Sequence, residues 1–283
     1  MGNNYFKSTI IESANIHQEL QKYIRHISID ESIQCSNDII AVPSIPYGMT
    51  ELVINLGNPY YRSSKNDNSQ FVRITDSHIV GFKTRSSLIV PTTKAKAISI
   101  LFKPGCLSVF VKEPLDAFTN KIIDAKNVFG PEFTFLEEQL SETASMPEQV
   151  DIVQSFLLSK LQSNDKITDF LNFIANMYNE KSNFSFKSII ARKSEYKTLE
   201  RNFYRYIGTT PKTFHQIISF NYASKLISKR NHRLTEIAYD CNYYDQSHFI
   251  KKFKEFSGYT PKEYLNIDHE MVKFNQDIIN SLF

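Results

Sequence analysis

Between Gln34 and Phe110 apolar and polar residues alternate with a period close to two. The segments SNDIIAVPSI, ELVINLG, FVRITDSHIVGF, SSLIVPT and KAISILF are short and rich in β-branched residues, and turn material such as NPYYRSSKNDNS and PTTK separates them. Alternation puts successive side chains on opposite faces of a strand, and several such strands at regular spacing predict a sandwich or small barrel. From Pro131 the period becomes helical. Pro131 to Leu140 and Pro147 to Leu161 each open with proline, which suits a first helical position because no N–H is needed there. QSNDK, around Ser163, reads as a linker. Beyond it the predicted helices are short and closely spaced: Thr168 to Asn179, Ser185 to Ala191, one through Leu199, Pro211 to Lys229, Thr235 to Cys241, one through Phe249, and Pro261 to Asn266.

These elements predict an α+β chain of two domains. Residues 1–162 form an N-terminal domain, with the β-barrel or sandwich at about 30–130 and helices at 131–162. Residues 163–267 form an all-α domain, and 268–283 a tail whose Met271, Phe274, Ile278 and Leu282 pack back on the domain or on a partner.

The helical part repeats itself. GTTPKTF from Gly208 recurs as GYTPKEY from Gly258, fifty residues on. At that offset Leu199 pairs with Phe249, Phe203 with Phe253 and Tyr206 with Phe256, a spacing that keeps all three on one helix face. Each copy is therefore an amphipathic helix, a glycine stop and a Thr-Pro restart. Between the copies, Phe214, Ile217, Ile218, Tyr222, Leu226 and Ile227 form one apolar stripe on a long helix, a strut between two equal units.

The second unit reads LTEIAYDCNYYDQSHFIKKFKEFSGYTPKEYL. Ile237 and Ala238 suit close packing, Asn242 suits a left-handed turn position, and Asp245 suits a helix cap. This is a helix-turn-helix layout, whose second helix enters the major groove of DNA. With Phe249, Phe253 and Phe256 facing inward, the outer face carries Gln246, Ser247, Ile250, Lys251 and Lys254. Gln pairs two-pronged with adenine and Lys donates to guanine O6 and N7. In the first unit the same face carries Lys197, Glu200, Arg201 and Tyr204. Arg201 is the natural guanine reader, and Glu200 either accepts from cytosine N4 or orients Arg201. The first turn, within FKSIIARKSEYKTL, lacks the expected small residue and glycine and is about two residues short.

Charge supports a polyanion partner for this part. The whole chain carries a net charge of only +3, but residues 163–267 hold 17 basic and 10 acidic side chains, a net of +7 against −4 for the remainder.

Residues 165–267 resemble the DNA-binding domain of the AraC/XylS family of bacterial transcription regulators, with the signature at IAYDCNYYDQSHFIKKFKEFSGYTPKEY. The resemblance implies two helix-turn-helix units joined by a long helix, reading two successive major-groove segments of double-stranded DNA. The N-terminal part is similar to the regulatory half of one branch of that family at IPYGMTELVINLG, HIVGF and LFKPGCLSVFVKEPLDAFTNKIIDAKNVFG. This implies a cupin-like β-barrel that senses a small effector; the other reading is a module that only dimerises or docks a protein. RNA polymerase and a second copy of the chain are the further partners it leaves open.

Little favours catalysis. A cupin-type metal site needs clustered His and carboxylate ligands, yet residues 30–130 contain one histidine, His78. GxSxG, HExxH and P-loop patterns are missing, so no enzyme and no cofactor is expected. Glu51, in ELVINL, stands out among the acids there, with a solvent-side or rim position as its expected place. Cys35, Cys106 and Cys241 are expected to be buried as small apolar groups. No apolar run is long enough to span a bilayer and MGNNYFKSTI is not a signal peptide, so a cytoplasmic location without membrane contact is expected.

Overall fold

Strand pairing starts earlier in the chain than the alternation suggests. The computed structural model describes residues 6–32, 41–64, 67–162, 165–180, 193–229, 232–266 and 278–279. Its strands are β1 (Phe6–Ile10), β2 (Ile24–Ser32), β3 (Val42–Ser44), β4 (Thr50–Asn55), β5 (Tyr60–Ser64), β6 (Asp67–Ile74), β7 (His78–Val80), β8 (Ser87–Val90), β9 (Lys96–Phe102) and β10 (Ile122–Asp124). They form two antiparallel sheets, one of six strands in the order β1-β2-β9-β4-β7-β10 and one of four in the order β3-β8-β5-β6.

The three central strands of the larger sheet sort their side chains by chemistry. Ile27 and Ile29 of β2, Leu52 and Ile54 of β4, and Ile98, Ile100 and Phe102 of β9 are all fully buried on one face. They pack against Phe129, Phe133, Leu136, Leu140, Val150, Val153 and Leu157. Those residues come from helices α1 (Ala125–Phe129), α2 (Glu132–Glu142) and α3 (Met146–Lys160). Each such side chain contributes roughly 1.5 to 3 kcal/mol by leaving water. The main core of the N-terminal domain thus lies between the six-stranded sheet and its helices. The opposite face of the same strands, with His26, Ser28, Asp30, Glu51 and Ser99, lines a cavity shared with the smaller sheet.

The C-terminal helices are α4 (Asp165–Glu180), α5 (Lys193–Tyr206), α6 (Pro211–Ser228), α7 (Leu234–Asp240), α8 (Gln246–Ser257) and α9 (Pro261–Asn266). The expected stripe on α6 is present, with Tyr222 half-buried and the other five residues buried. The helix is nevertheless more than a one-sided strut: Ser219, Phe220, Asn221, Ala223 and Ser224 are buried as well, as expected of a helix enclosed by neighbours. Phe203, Phe249, Phe253, Phe256 and Tyr264 complete this second core.

The N-terminal domain enters that core directly. Ile45, Tyr47 and Phe82 belong to it, with the Phe82 and Phe214 rings 6.0 Å apart, and the Tyr178 hydroxyl on α4 donates to the Tyr47 carbonyl at 2.9 Å. Two glycines make the approach possible. Gly48 has φ +79°, and a Cβ there would lie 2.6 Å from Tyr178 Oη; Gly208 has φ +97°, and its Cβ would lie 2.7 Å from the Leu115 carbonyl. The hydroxyl of Thr119 also donates to the Gly208 carbonyl.

Several sequence expectations need correction. The stretch NPYYRSSKNDNS is not simply turn: Tyr60 pairs with Ile74 and Arg62 with Val72, so most of it belongs to the β5–β6 hairpin. β1, β2 and β10 lie wholly or largely outside the segments predicted as strands. Glu51 is no rim residue; it is half-buried and lines the inter-sheet cavity. Cys106 and Cys241 are buried at 4% and 2% exposure, and burial pushes each thiol up to about 12. Cys35, the expected helix Ser185 to Ala191, and Met271, Phe274 and Leu282 lie outside the described residues.

His78 is buried between two partners. Its Nε2 is 2.8 Å from the Tyr60 hydroxyl and its Nδ1 is 2.8 Å from the Asp76 carbonyl. A carbonyl only accepts, so Nδ1 carries the ring proton and Nε2 accepts from the tyrosine. Burial holds the ring pKa at about 4 against an ordinary 6.5. The unfolded chain therefore takes up this proton first, and stability falls as pH drops through that interval. Denaturant titrations of wild type and His78→Gln from pH 7 to 4.5 should show wild type losing stability relative to the non-titrating variant; parallel pH profiles would contradict it.

Candidate nucleic-acid interface

The second helix-turn-helix is built by short-range hydrogen bonds acting on a phenylalanine ridge. The Glu236 carboxylate accepts from the Arg233 backbone N–H at 2.9 Å and opens α7, which buries Ile237 and Ala238. At the turn Asn242 has φ +57°, the left-handed conformation its short amide tolerates. The Tyr243 N–H reaches back to the Ala238 carbonyl at 2.9 Å. The Asp245 carboxylate then accepts from the His248 N–H at 2.7 Å, capping α8. Phe249, Phe253 and Phe256 are at most 2% exposed, and Phe253 lies 5.1 Å from Phe220 and 5.4 Å from Tyr264 between ring centroids. With that face fixed, the helix cannot rotate without exposing three aromatic rings.

Gly258, at φ +84°, ends α8, and Thr260 and Glu263 form a reciprocal cap on α9, at 2.7 and 3.2 Å. The first unit closes in the same way. Phe203 and Ile207 are buried, Gly208 is left-handed, and Thr210 Oγ1 accepts from the Thr213 N–H at 3.1 Å ahead of Pro211. Both repeat glycines also meet the N-terminal domain, because a Cβ on Gly258 would lie 3.1 Å from Ser86 Oγ.

Of the sequence-derived residues, Gln246, Ser247, Lys251 and Lys254 are exposed on α8, and Lys197, Arg201 and Tyr204 are exposed on α5. Residues 197, 201 and 204 stand at the same helical spacing as 247, 251 and 254, so the two helices present equivalent faces. Glu200 and Ile250 occupy the equivalent flanking position and are half-buried; Ile250 packs against the core and bounds the face. No ion pair among the described residues engages Arg201, Lys251 or Lys254, whereas Lys252 is held by Glu255 at 2.8 Å. Their charge is therefore available to a polyanion. The first helix and turn of the first unit fall in residues 181–192, outside the described residues.

Sequence reasoning passed over two candidates. Tyr239 and Tyr244 are 83% and 92% exposed on either side of the turn, where a phenolic hydroxyl can reach a phosphate. The run NYYDQ held the signal, but only the fold separates Tyr244 from Tyr243, whose ring packs on Phe249 at 5.1 Å.

The inter-sheet cavity is the second feature. It encloses about 200 Å³. Asp30, 9% exposed, accepts at Oδ2 from the Ser28 hydroxyl at 3.2 Å, and its Oδ1 has no partner among the described residues. Arg62, 6% exposed, donates from Nε to the Ser87 hydroxyl at 3.0 Å. Lys83 donates to the Ser44 hydroxyl and lies 5.5 Å from the Tyr47 ring centroid. Burial raises the Glu51 pKa, Asp30 raises it further, and Lys83 and Arg62 pull it back. Among the described residues no group of three or more His, Cys, Asp or Glu is placed to hold a metal, and no helix is long and apolar enough to cross a membrane.

Comparison with known proteins finds matches to the C-terminal helices and to the N-terminal domain separately. Residues 193–267 match a family described as a helix-turn-helix domain, and residues 16–124 match a domain of unknown function, DUF6597. The uncharacterized HTH-type transcriptional regulator YidL of Escherichia coli (strain K12) is 36% identical over 67 residues, which cover 24% of this chain and 23% of that protein. Among solved structures, ToxT of Vibrio cholerae aligns over 93% of this chain and 98% of its own at 11% identity and a TM-score of 0.45. An unsaturated fatty acid bound form of ToxT aligns over 95% and 98% at 15% identity and a TM-score of 0.38.

Proposed function

We propose that this chain, whose residues 193–267 are a helix-turn-helix domain of the AraC type, is a cytoplasmic, sequence-specific regulator of transcription that binds double-stranded DNA and answers to a small effector through its N-terminal domain. The observation that carries the reading is the pair of equivalent exposed faces on α5 and α8, each fixed by buried aromatics and neither neutralised by the described ion pairs. Gln246 and Lys251 have the chemistry to read adenine and guanine, Ser247 either base, and Arg201 guanine. Glu200 orients Arg201 or accepts from cytosine. Lys197, Lys254, Tyr204, Tyr239 and Tyr244 supply phosphate contacts, which position the protein and make affinity depend on salt. RNA polymerase is the protein partner that an activator of this design would meet.

We place the division between the domains at the α3–α4 connection. The effector reading is preferred to a bare docking module because a partly open cavity with convergent polar groups lies between the sheets, where a side-chain-filled barrel would have none. Its surroundings also reach the second core: Tyr47, on its wall, accepts from Tyr178, and Lys83, which donates to the wall residue Ser44, follows Phe82, which packs on Phe214. An occupant that displaces Lys83 or Tyr47 would shift the seat of α4 and α6, and with them the spacing of the two reading helices.

Selection of bound sequences from a random duplex pool at near-physiological salt tests the central claim. The expected motif has two informative blocks about ten base pairs apart, one helical turn; a single block would remove base reading from the first unit, and no enrichment would overturn the function. On the selected site, Arg201→Ala and Lys251→Ala should each cost roughly 1 to 3 kcal/mol and relax one base position. Equal losses on cognate and random DNA would reassign the residue to phosphate contact. We propose α2 and α3 as the surface for a second copy of the chain, because Phe135 is 64% exposed there beside a groove walled by Ile152 and Phe156. Sedimentation should show a dimer that Phe135→Asp converts to monomer, and a wild-type monomer at micromolar concentration would remove that assignment.

A further inference from the structure

The cavity between the sheets is charged in a particular order. Its acids, Asp30 on β2 and Glu51 on β4, come from the six-stranded sheet. Two bases lie on its walls, Arg62 on β5 in the facing sheet and Lys96 on β9, the latter held by Glu31 at 3.3 Å; Lys83, just beyond β7, stands outside the lining, and Arg62 and Lys83 both act on Glu51. Arg62 and Val80 also form walls of a wider cleft of about 730 Å³, which is lined in addition by Lys83, Arg85 and Lys121 and, among the described residues, by no carboxylate. The two spaces thus share the Arg62 and Val80 walls, with both carboxylates on the side of the first and Lys83, Arg85 and Lys121 on the side of the second.

We infer that this space takes a small dipolar ligand of the amino-acid class, its ammonium against Asp30 and Glu51 and its acid group toward Arg62 and Lys83. The inference rests on reading the N-terminal domain as effector-binding and adds the chemistry of the effector. Two independent observations carry it. The first is Asp30: it is nine-tenths buried, the hydroxyls of Ser8, Ser28 and Ser99 are its hydrogen-bonding neighbours, and its Oδ1 has no partner in hydrogen-bond geometry among the described residues, which leaves that oxygen open to a donor from a ligand. The second is the separation of charge. Glu51 is already compensated by Arg62 and Lys83, so a simple amine would compete with those bases and leave a net positive charge in a poorly solvated space. A simple carboxylate would meet Asp30 and leave its oxygen unpaired. A zwitterion adds no net charge and supplies both the donor that Asp30 lacks and the acid that the basic cleft lacks. Val53, Ile89 and Leu101 on the remaining wall suit an apolar side chain.

The test uses the full-length chain, with thermal unfolding and calorimetric titration against each free α-amino acid at millimolar concentration. Any amino acid that raises the transition temperature is then compared with its methyl ester, which keeps the ammonium alone, and its N-acetyl derivative, which keeps the acid alone. At least one free amino acid should bind, with the ester and the N-acetyl derivative each weaker by roughly tenfold or more, and Asp30→Asn should weaken the free amino acid to a similar degree. If Asp30→Asn does not fold, the comparison of the three probe forms on wild type decides alone. Equal binding of the ester or the N-acetyl derivative would overturn the dipolar assignment, as would a simple fatty acid binding where no amino acid does, and either would leave an effector-responsive regulator standing. If none of these probes shifts the transition while the selected DNA still binds, the dipolar ligand is overturned and the DNA-binding function is not.

Discussion

Alternation on β2, β4 and β9 is the constraint from which the rest of the N-terminal domain follows. A strand turns successive side chains to opposite faces, so HISID, ELVIN and KAISILF cannot present isoleucine and serine on the same side. Once the isoleucines commit to α1, α2 and α3, the histidine, serines and carboxylates are forced into the space between the sheets. Slipping the register by one residue would expose the apolar set and bury the polar one against helices. The carboxylates and serines of the cavity wall are thus a consequence of where the apolar core sits, with Arg62 and Lys83 offsetting part of the cost of burying Glu51.

The same economy governs the junction between domains. The glycine that ends each repeat is needed by the helix, because only a residue without Cβ enters the left-handed region at no steric cost. That bare backbone is also a surface the N-terminal domain approaches closely, at Leu115 and Thr119 for Gly208 and at Ser86 for Gly258. The helix stop and the domain contact share one residue. A change at Gly208 would therefore disturb the end of α5 and the docking together, which connects the stability of the reading helix to the position of the barrel.

The second helix-turn-helix was the most legible part of the chain, because its determinants are local. Asn242, Asp245, Gly258 and Thr260 each act on atoms within a few residues, and all four adopt the roles their chemistry suggests. Leu199, Phe203 and Tyr206 were legible for the same reason, since helical spacing alone puts them on one face. β2 and the β5–β6 hairpin were harder to read. Tyr60, Arg62 and Ser63 resemble loop residues because sequence rules assume that strands face an apolar core, whereas Tyr60 and Arg62 line the inter-sheet cavity and the Ser63 hydroxyl accepts from the Leu88 N–H of the neighbouring strand. Glu51 misled for the same reason: a carboxylate in an apolar strand is ordinarily a surface residue, unless the strand's second face meets buried bases.

Residue order alone specifies where helices start and stop, which residues of α8 face inward, and that a basic module follows a β-rich one. Periodicity and capping act over four residues or fewer, so one dimension suffices to express them. Folding in three dimensions was needed to bring Asp30 and Glu51 into one cavity with Arg62 and near Lys83, to carry Tyr47 and Phe82 into the helical core, and to expose Tyr244 while packing Tyr243. Those relations join residues that are distant in the chain or identical in type, and their energies depend on distance and burial, which exist only once the sheets and helices have closed on one another.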